Sequence, residues 1–128
     1  MPGIPWQSLS PFDSSRTYLA LLTHLPLRSY WRIPQFLGFT AQLRTQLRGS
    51  NGVIGYSMLA WPLRKEFWTL SVWDDEDALM AFVHRPPHTR VMQALAGHMG
   101  TTKFVRWEMK GSGLPPTWQE AFNRFRAG

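Results

Sequence analysis

Residues 66–92, EFWTLSVWDDEDALMAFVHRPPHTRVM, carry the change of pattern that decides the fold. The run 67–73 is rich in aromatic and β-branched residues and predicts a strand. Four acids follow, and we expect Asp74 to cap a helix whose first turn holds the other three, because the helix dipole favours negative charge there. Pro86 and Pro87 predict a break in this helix, since proline lacks a backbone N–H and clashes with the preceding turn.

Three further strands and two further helices are predicted around this stretch. The strands are Thr17–Leu25, Val53–Trp61 and Lys103–Met109, and the helices begin at Pro34 and at the capping box of Thr117 and Glu120. The order strand, helix, strand, strand, helix, strand is that of an α+β, ferredoxin-like βαββαβ fold with an antiparallel sheet. We expect residues 1–16 to form an irregular N-terminal arm and residues 17–128 to form a single domain with an extra C-terminal helix.

The predicted strands are apolar on both faces. In the strand 53–61 the two alternating sets are Val53, Leu59 and Trp61, and Ile54, Tyr56 and Met58. A ferredoxin-like sheet carries its helices on one face, so a second copy's sheet is the simplest cover for the other face. The pattern therefore predicts a homodimer in which two sheets pack as a dimeric α+β barrel.

Composition excludes several classes of protein. The 128 residues are 44% hydrophobic and 17% charged, which is typical of a globular domain. No apolar run approaches the roughly 20 residues of a membrane-spanning helix, and the N-terminus lacks a signal-peptide pattern, so we expect no membrane partner. The absence of cysteine excludes disulfide and thiolate chemistry and favours a cytoplasmic location. The net charge of +6 is spread without a basic block, and the strand 67–73 lacks the RNA-binding aromatic signature, so we expect no nucleic-acid partner.

Several segments resemble the dimeric α+β barrel superfamily, which includes antibiotic-biosynthesis monooxygenases and haem-degrading monooxygenases. The similar segments are FWTLSVW (67–73), the acidic helix start with AF at 81–82, PHTRVM (87–92), FVRW (104–107) and LPPTWQEAF (114–122). The resemblance is closer to uncharacterised relatives that are likened to spheroidene monooxygenase. It implies the fold and the dimer, and monooxygenase-like action on a hydrophobic or aromatic small molecule.

The haem-degrading members of that superfamily carry a tryptophan after the third strand and a histidine ligand further along. The corresponding positions here are Phe82 and Met92, so a haem ligand at the family's position is missing. His88 lies one turn earlier on the same predicted helical face and could substitute for it.

Three residues are candidates for catalysis. His88 shares its predicted helical face with Val91 and Met92, which would carry its imidazole into a cleft between helices and sheet as a base, a hydrogen-bond donor or a haem ligand. The alternative is a structural hydrogen bond to a carbonyl at the helix break. His24 and Tyr56 are further candidates, and their alternatives are a polar edge position and a hydrogen bond to the backbone.

Five residues are candidates for substrate binding: Trp68, Trp73, Phe82, His84 and Met92. The two tryptophans have opposite parity in one strand, so at most one faces the cleft. His84 has the alternative of closing its helix through dipole and carbonyl contacts. His84 and His88 are separated by two prolines, which removes the helical spacing of a zinc pair, so we expect no metal site.

Three functions agree with these residues. The first is a cofactor-independent oxygenase that binds an electron-rich aromatic or polyene substrate and assists its deprotonation and reaction with oxygen. The second is a haem-binding oxygenase with His88 or His24 as the ligand. The third is a non-catalytic dimeric binder of a hydrophobic small molecule. The expected cofactor is accordingly either none or haem.

Overall fold

Five antiparallel strands form a sheet in the computed structural model, which describes residues 3–28, 30–84 and 103–127. The strands are β1 (Gly3–Ser8), β2 (Thr17–Pro26), β3 (Val53–Trp61), β4 (Glu66–Trp73) and β5 (Lys103–Lys110). The helices are α1 (Ile33–Arg48), α2 (Glu76–Val83) and α3 (Trp118–Ala127). The spatial order β1-β3-β4-β2-β5 is the ferredoxin-like order with β1 added at one edge, so the predicted fold class is confirmed.

The first strand corrects the expectation of a wholly irregular arm. Residues 3–8 pair antiparallel with β3, and Ile4 lies opposite Met58. Pro5 is tolerated because an edge strand needs no donor on its outer side. At Gly55 an added Cβ would lie 2.3 Å from the Trp6 ring, so glycine is what allows Trp6 to lie against the sheet. A short strand that contains proline gives almost no periodic signal, which explains the error.

A bulge in β3 changes which of its side chains share a face. Val53 lies opposite Trp73, and the register then shifts so that Ile54 and Gly55 together oppose one residue of β4. Simple alternation placed Tyr56 with Ile54, whereas the bulge places Tyr56 in the cluster of Val53 and leaves Ile54 in the core on the other face. The predicted alternation was therefore wrong at this strand.

Buried apolar side chains cover both faces of the sheet. On the face beneath α1 and α2, here called the α1–α2 face, they are Leu27, Phe36, Leu47, Val53, Tyr56, Phe67, Trp73, Leu79 and Phe82. On the opposite face, here called the α3 face, they are Tyr18, Ala20, Leu22, Ile54, Trp68, Leu70, Val72, Trp107 and Ala121.

The cover on the α3 face comes from the same chain. Ala121 of α3 is completely buried in this core, and Trp118, Phe122 and Phe125 pack against it from the same helix. The expectation that helices lie on one face only was therefore wrong. As a result, two-sided apolar strands do not by themselves require a second subunit.

The helix that follows β4 starts one residue later than predicted. Asp75, in extended backbone conformation, is the N-cap, and its carboxylate accepts from the backbone N–H of Ala78 at 2.9 Å. Asp74 remains tied to the sheet, because its N–H donates to the Gly52 carbonyl at 2.7 Å and its carboxylate lies 3.5 Å from Arg16. The predicted break at residues 86–87 lies outside the described residues.

The C-terminal helix starts where its sequence predicts. The backbone N–H of Glu120 donates to the Thr117 hydroxyl at 3.1 Å, which is one half of the expected capping box. The carboxylate of Glu120 binds Arg124 at 3.3 Å. None of the described helices is long and apolar enough to cross a membrane.

Candidate functional site

The structure divides the candidate residues between the two faces of the sheet. Tyr56, Trp73 and Phe82 belong to one buried cluster on the α1–α2 face. His24 and Trp68 lie on the α3 face, so the two tryptophans point in opposite directions as their parity indicated. His84 is exposed as the C-cap residue of α2. His88 and Met92 lie outside the described residues, and their roles stay predictions.

A tyrosine and an arginine form a polar centre on the α1–α2 face. Tyr56 is 1% exposed, and its hydroxyl accepts a hydrogen bond from Nε of Arg44 at 2.8 Å. The strand β3 fixes the tyrosine, and α1 presents the half-buried arginine one turn before its buried Leu47. A guanidinium carries five N–H donors, and this bond uses one of them. Within the described residues Arg44 forms no ion pair with an acid.

Aromatic rings and a second hydroxyl lie beside this pair. Trp73 is 2% exposed, and its ring centroid is 5.1 Å from that of Phe82. The indole N–H of Trp73 donates to the hydroxyl of Ser71 at 2.9 Å, and Ser71 lies directly opposite Tyr56 in the sheet. The arrangement places one positive charge and two hydroxyls next to apolar rings. Such a set can hold an aromatic molecule that carries an acidic oxygen.

Arg44 was not among the residues that sequence reasoning selected. The sequence places Arg44 near the end of α1, three residues before the buried Leu47 and four after Thr40. That spacing places Arg44 on the inward side of the helix, where burying a cation costs free energy unless it has a partner. A charged residue on the apolar side of a helix was therefore the signal that could have identified it.

The histidine on the α3 face is packed among rings. The centroid of His24 is 4.2 Å from that of Trp68 and 5.6 Å from that of Phe125. Its Nε2 lies 3.7 Å from the Glu66 carboxylate, is fully buried and has no hydrogen-bond partner within the described part of the chain. Burial lowers the pKa of His24 below its ordinary value, and the nearby Glu66 partly opposes that shift. These contacts favour a neutral, packed imidazole, and the catalytic role of His24 stays a prediction.

A haem does not fit at His24 in this arrangement. Trp68 and Phe125 lie against the ring, and the nitrogen that would bind iron faces Glu66 beneath α3. A porphyrin would have to displace α3 to reach it. The haem hypothesis consequently rests on His88, which lies outside the described residues.

An acidic depression of about 340 Å³ lies where the turn before β3 meets α2. Its lining includes Asp74, Asp75 and Asp77. Two of these acids already serve the fold, since Asp75 caps α2 and Asp74 pairs with Arg16. Among residues 3–28, 30–84 and 103–127, no group of three histidine or acidic side chains is placed to hold a metal ion.

Comparison with solved structures identifies the class of fold. SnoaB, a cofactor-independent oxygenase from Streptomyces nogalater, is 15% identical over 77% of this chain and 98% of its own, with a TM-score of 0.60. An antibiotic biosynthesis monooxygenase is 16% identical over 73% of this chain and 97% of its own, with a TM-score of 0.61. The protein NE2512, of unknown function, from Nitrosomonas europaea is 18% identical over 79% and 97%, with a TM-score of 0.62. No curated protein matches the sequence.

The chain therefore shares the fold of these monooxygenase structures, as the sequence resemblance had implied. Within that class the chain belongs to the family described as Domain of unknown function (DUF3291), which matches residues 34–127.

Proposed function

We propose that the protein binds a hydrophobic aromatic molecule with an acidic hydroxyl on the α1–α2 face and acts on it as a cofactor-independent monooxygenase. The observation that supports this most is the hydrogen bond from Arg44 to Tyr56, which is buried in the cluster of Trp73 and Phe82. Among residues 3–28, 30–84 and 103–127, the other guanidinium N–H groups of Arg44 have no hydrogen-bond partner. Likeness to SnoaB, a cofactor-independent oxygenase, agrees with the proposal.

The charge of Arg44 favours the ionised form of such a ligand. Two unit charges 4 Å apart interact by about 4 kcal/mol at the effective dielectric constant of a protein surface near 20. An opposite charge at this range lowers the pKa of an acid by about 1–3 units. A phenol or enol bound with its oxygen against Arg44 would therefore lose its proton more readily than in water.

Ionisation prepares the substrate for reaction with oxygen. The enolate carbon supplies both electrons to O₂ and forms a C–O bond, giving a peroxide. Loss of water from that peroxide converts the original CH₂ group to a carbonyl group, so one oxygen atom enters the product and the other leaves as water. The substrate supplies all the electrons, and no external reductant is needed. Arg44 and Tyr56 hold the anionic oxygen, while His88 remains the predicted proton acceptor.

Titration of a dihydroxyanthrone tests the site, because this tricyclic probe combines an aromatic body with acidic hydroxyls. We expect Arg44→Gln to weaken binding about tenfold or more, the loss of one charge-assisted hydrogen bond. Arg48→Gln is the matched control, since Arg48 lies one turn further along α1, is exposed and, among the described residues, hydrogen-bonds Thr45. Equal affinity in both variants would show that the ligand does not bind at Arg44.

Oxygen uptake separates the catalytic proposal from its alternatives. The wild-type protein should consume oxygen with the same probe when purified without metal or haem, and Arg44→Gln should lose this activity. Binding without oxygen uptake would favour the non-catalytic binder. A Soret band on purified protein grown with haem would favour the haem-binding oxygenase, and its loss in His88→Ala would assign the ligand.

Assembly as a homodimer is also a proposal, and it is supported by the class of fold. A dimer formed through the α3 face would have to displace α3 or exchange it with the partner copy, because α3 covers that face. Light scattering at micromolar concentration should give twice the chain mass of 14.8 kDa. A single species at the chain mass would contradict the dimer. The cytoplasmic location likewise stays a prediction.

A further inference from the structure

Two short 3-10 turns form an exposed apolar tip at one end of the sheet. The first turn, Tyr30–Arg32, precedes α1, and the second, Pro62–Arg64, joins β3 to β4. Trp31 is 91% exposed and Leu63 is 89% exposed. Exposed single apolar side chains are common, but two large ones on adjacent turns require an explanation. These two turns with the flanking residues 28 and 65 are called the double-turn tip.

Hydrogen bonds fix the two turns to each other. The hydroxyl of Tyr30 donates to the carbonyl oxygen of Leu63. Nζ of Lys65 donates to the carbonyl of Arg28 at 3.2 Å, and the backbone N–H of Leu27 donates to the carbonyl of Lys65 at 2.8 Å. Leu27 in turn is 4% exposed in the core beneath. The tip is therefore a built feature of the fold, in which the turns that carry Trp31 and Leu63 are hydrogen-bonded to each other.

The charged side chains of the tip have one sign, and the next acid in the sequence, Glu66, lies 3.7 Å from His24. No aspartate or glutamate occurs from residue 14 to residue 65, whereas arginine and lysine recur through that stretch. The guanidinium of Arg64 lies 4.5 Å from the Trp61 ring centroid, and Nζ of Lys65 lies 5.0 Å from that of Tyr30. Both charged groups thus lie over aromatic rings within cation–π range, at the border of the tip. The tip combines two projecting apolar side chains with a cationic border.

We propose that the double-turn tip docks the protein on an anionic lipid bilayer. Tryptophan favours the membrane–water interface, and Leu63 would enter the acyl boundary beside Trp31. Arg28, Arg64 and Lys65 would contact anionic headgroups, each strengthening binding by about fivefold. This revises the expectation of no membrane partner, which rested on the lack of a spanning segment. The proposal stands independently of the proposed enzymatic function.

Two other occupants fit the tip less well. Single-stranded nucleic acid stacks successive bases on several aromatic faces, but at the tip Lys65 lies over the Tyr30 ring and Arg64 over the Trp61 ring, and Trp31 alone does not form such a series. A second copy of the chain, docked tip to tip by two-fold symmetry, would place the same cationic border against itself. The anionic bilayer satisfies both the apolar side chains and the charges.

Vesicle co-sedimentation of the full chain tests the proposal. We expect binding to phosphatidylcholine vesicles that contain phosphatidylserine, little binding to pure phosphatidylcholine, and weakening as salt rises from about 0.1 M to about 1 M. The double variant Trp31→Ala, Leu63→Ser should lose binding at least tenfold while the protein stays folded, as a cooperative thermal unfolding transition would show. Phe12→Ala, a 41% exposed aromatic outside the tip, is the matched control and should bind like the wild type.

Three results would overturn the proposal. The first is the absence of any preference for the anionic vesicles. The second is equal vesicle binding by the double variant and the wild type. The third is that the two substitutions leave vesicle binding unaffected but abolish either binding to a single-stranded RNA oligonucleotide or a dimer that light scattering detects in the wild type. Quenching of tryptophan fluorescence by brominated lipid gives a second measurement, and it should fall in Trp31→Phe, which keeps an apolar ring at the tip.

Discussion

Removal of one hydroxyl tests whether Arg44 and Tyr56 act as a unit. Tyr56→Phe deletes the acceptor that binds Nε of Arg44 at 2.8 Å and keeps the buried ring in place. A hydrogen bond to a charged group contributes about 1.5–3 kcal/mol, but half-buried Arg44 can recover part of this from water. We therefore expect the free energy of unfolding to fall by about 1–2 kcal/mol.

The converse change should cost a similar amount for a different reason. Arg44→Met leaves the Tyr56 hydroxyl buried without its donor, which costs about 1–3 kcal/mol. The double variant contains neither orphaned group, so its loss should be smaller than the sum of the two single losses by about 1 kcal/mol or more. Urea unfolding of the four proteins, followed by tryptophan fluorescence, measures this coupling.

A control on the opposite face separates stability from function. The Tyr18 hydroxyl accepts from the backbone N–H of Asp13 at 2.7 Å, and the Tyr18 side chain is 3% exposed. Tyr18→Phe should therefore lower stability without changing affinity for the dihydroxyanthrone probe, whereas Tyr56→Phe should lower both. Additivity of the Arg44 and Tyr56 losses within about 0.5 kcal/mol would refute the reasoning, because independent sites add in this way.

Three further changes probe the fold around the site. The pKa of His24 is lower in the folded protein than its ordinary 6.5, so the stability that its neutral form contributes is complete above pH 6.5 and is lost as the pH falls towards the folded-state pKa. In His24→Phe the unfolding midpoint should therefore depend less on pH across that acid range. The same pH dependence in the variant and the wild type would contradict this. Gly55→Ala should destabilise by about 1–3 kcal/mol in urea through overpacking against the Trp6 ring and the backbone oxygen of Gln7, and a Trp6→Ala background should relieve only part of this loss. Thr117→Ala should lower the free energy of unfolding by about 1 kcal/mol, because α3 loses its N-cap hydrogen bond, while Thr117→Ser keeps that bond and should keep the stability. Thermal unfolding followed by circular dichroism measures both.

The sequence predicts the main strands well because their physical causes are local. The apolar runs of β2, β3 and β4 are bounded by turn residues, so their bounds agree with the prediction to within one residue. The helix caps were also visible, although the choice between Asp74 and Asp75 depended on how far β4 remains paired in the sheet. Periodicity and capping contain this information without any tertiary structure.

The errors come from tertiary effects that periodicity does not encode. The bulge beside Gly55 reversed the facing of Tyr56, and a chain of alternating residues cannot show where a register shifts. The cover supplied by α3 depends on how the chain turns back over the sheet after β5, so a second subunit looked necessary. The Arg44–Tyr56 pair joins a helix to a strand, and only the fold brings these two side chains together.

The functional expectations divide in the same way. Chemistry was predicted at the histidines because of their residue type, yet His24 is enclosed among rings and Glu66 on the α3 face. The role of His88 stays a prediction, since it lies outside the described residues. Tyr56 remains a candidate, and the structure adds Arg44 beside it as the charged group.

Spectrophotometric titration of the bound dihydroxyanthrone is the most direct test of the proposed site. Protonated and ionised forms of the probe absorb at different wavelengths, so the pKa of the ligand can be read while it is bound. A guanidinium against its oxygen should lower that pKa by about 1–3 units relative to the free probe. The shift should persist in Arg48→Gln and disappear in Arg44→Gln. A bound probe that ionises at its ordinary pH, or that shifts equally in both variants, would contradict an anion site at Arg44 and Tyr56.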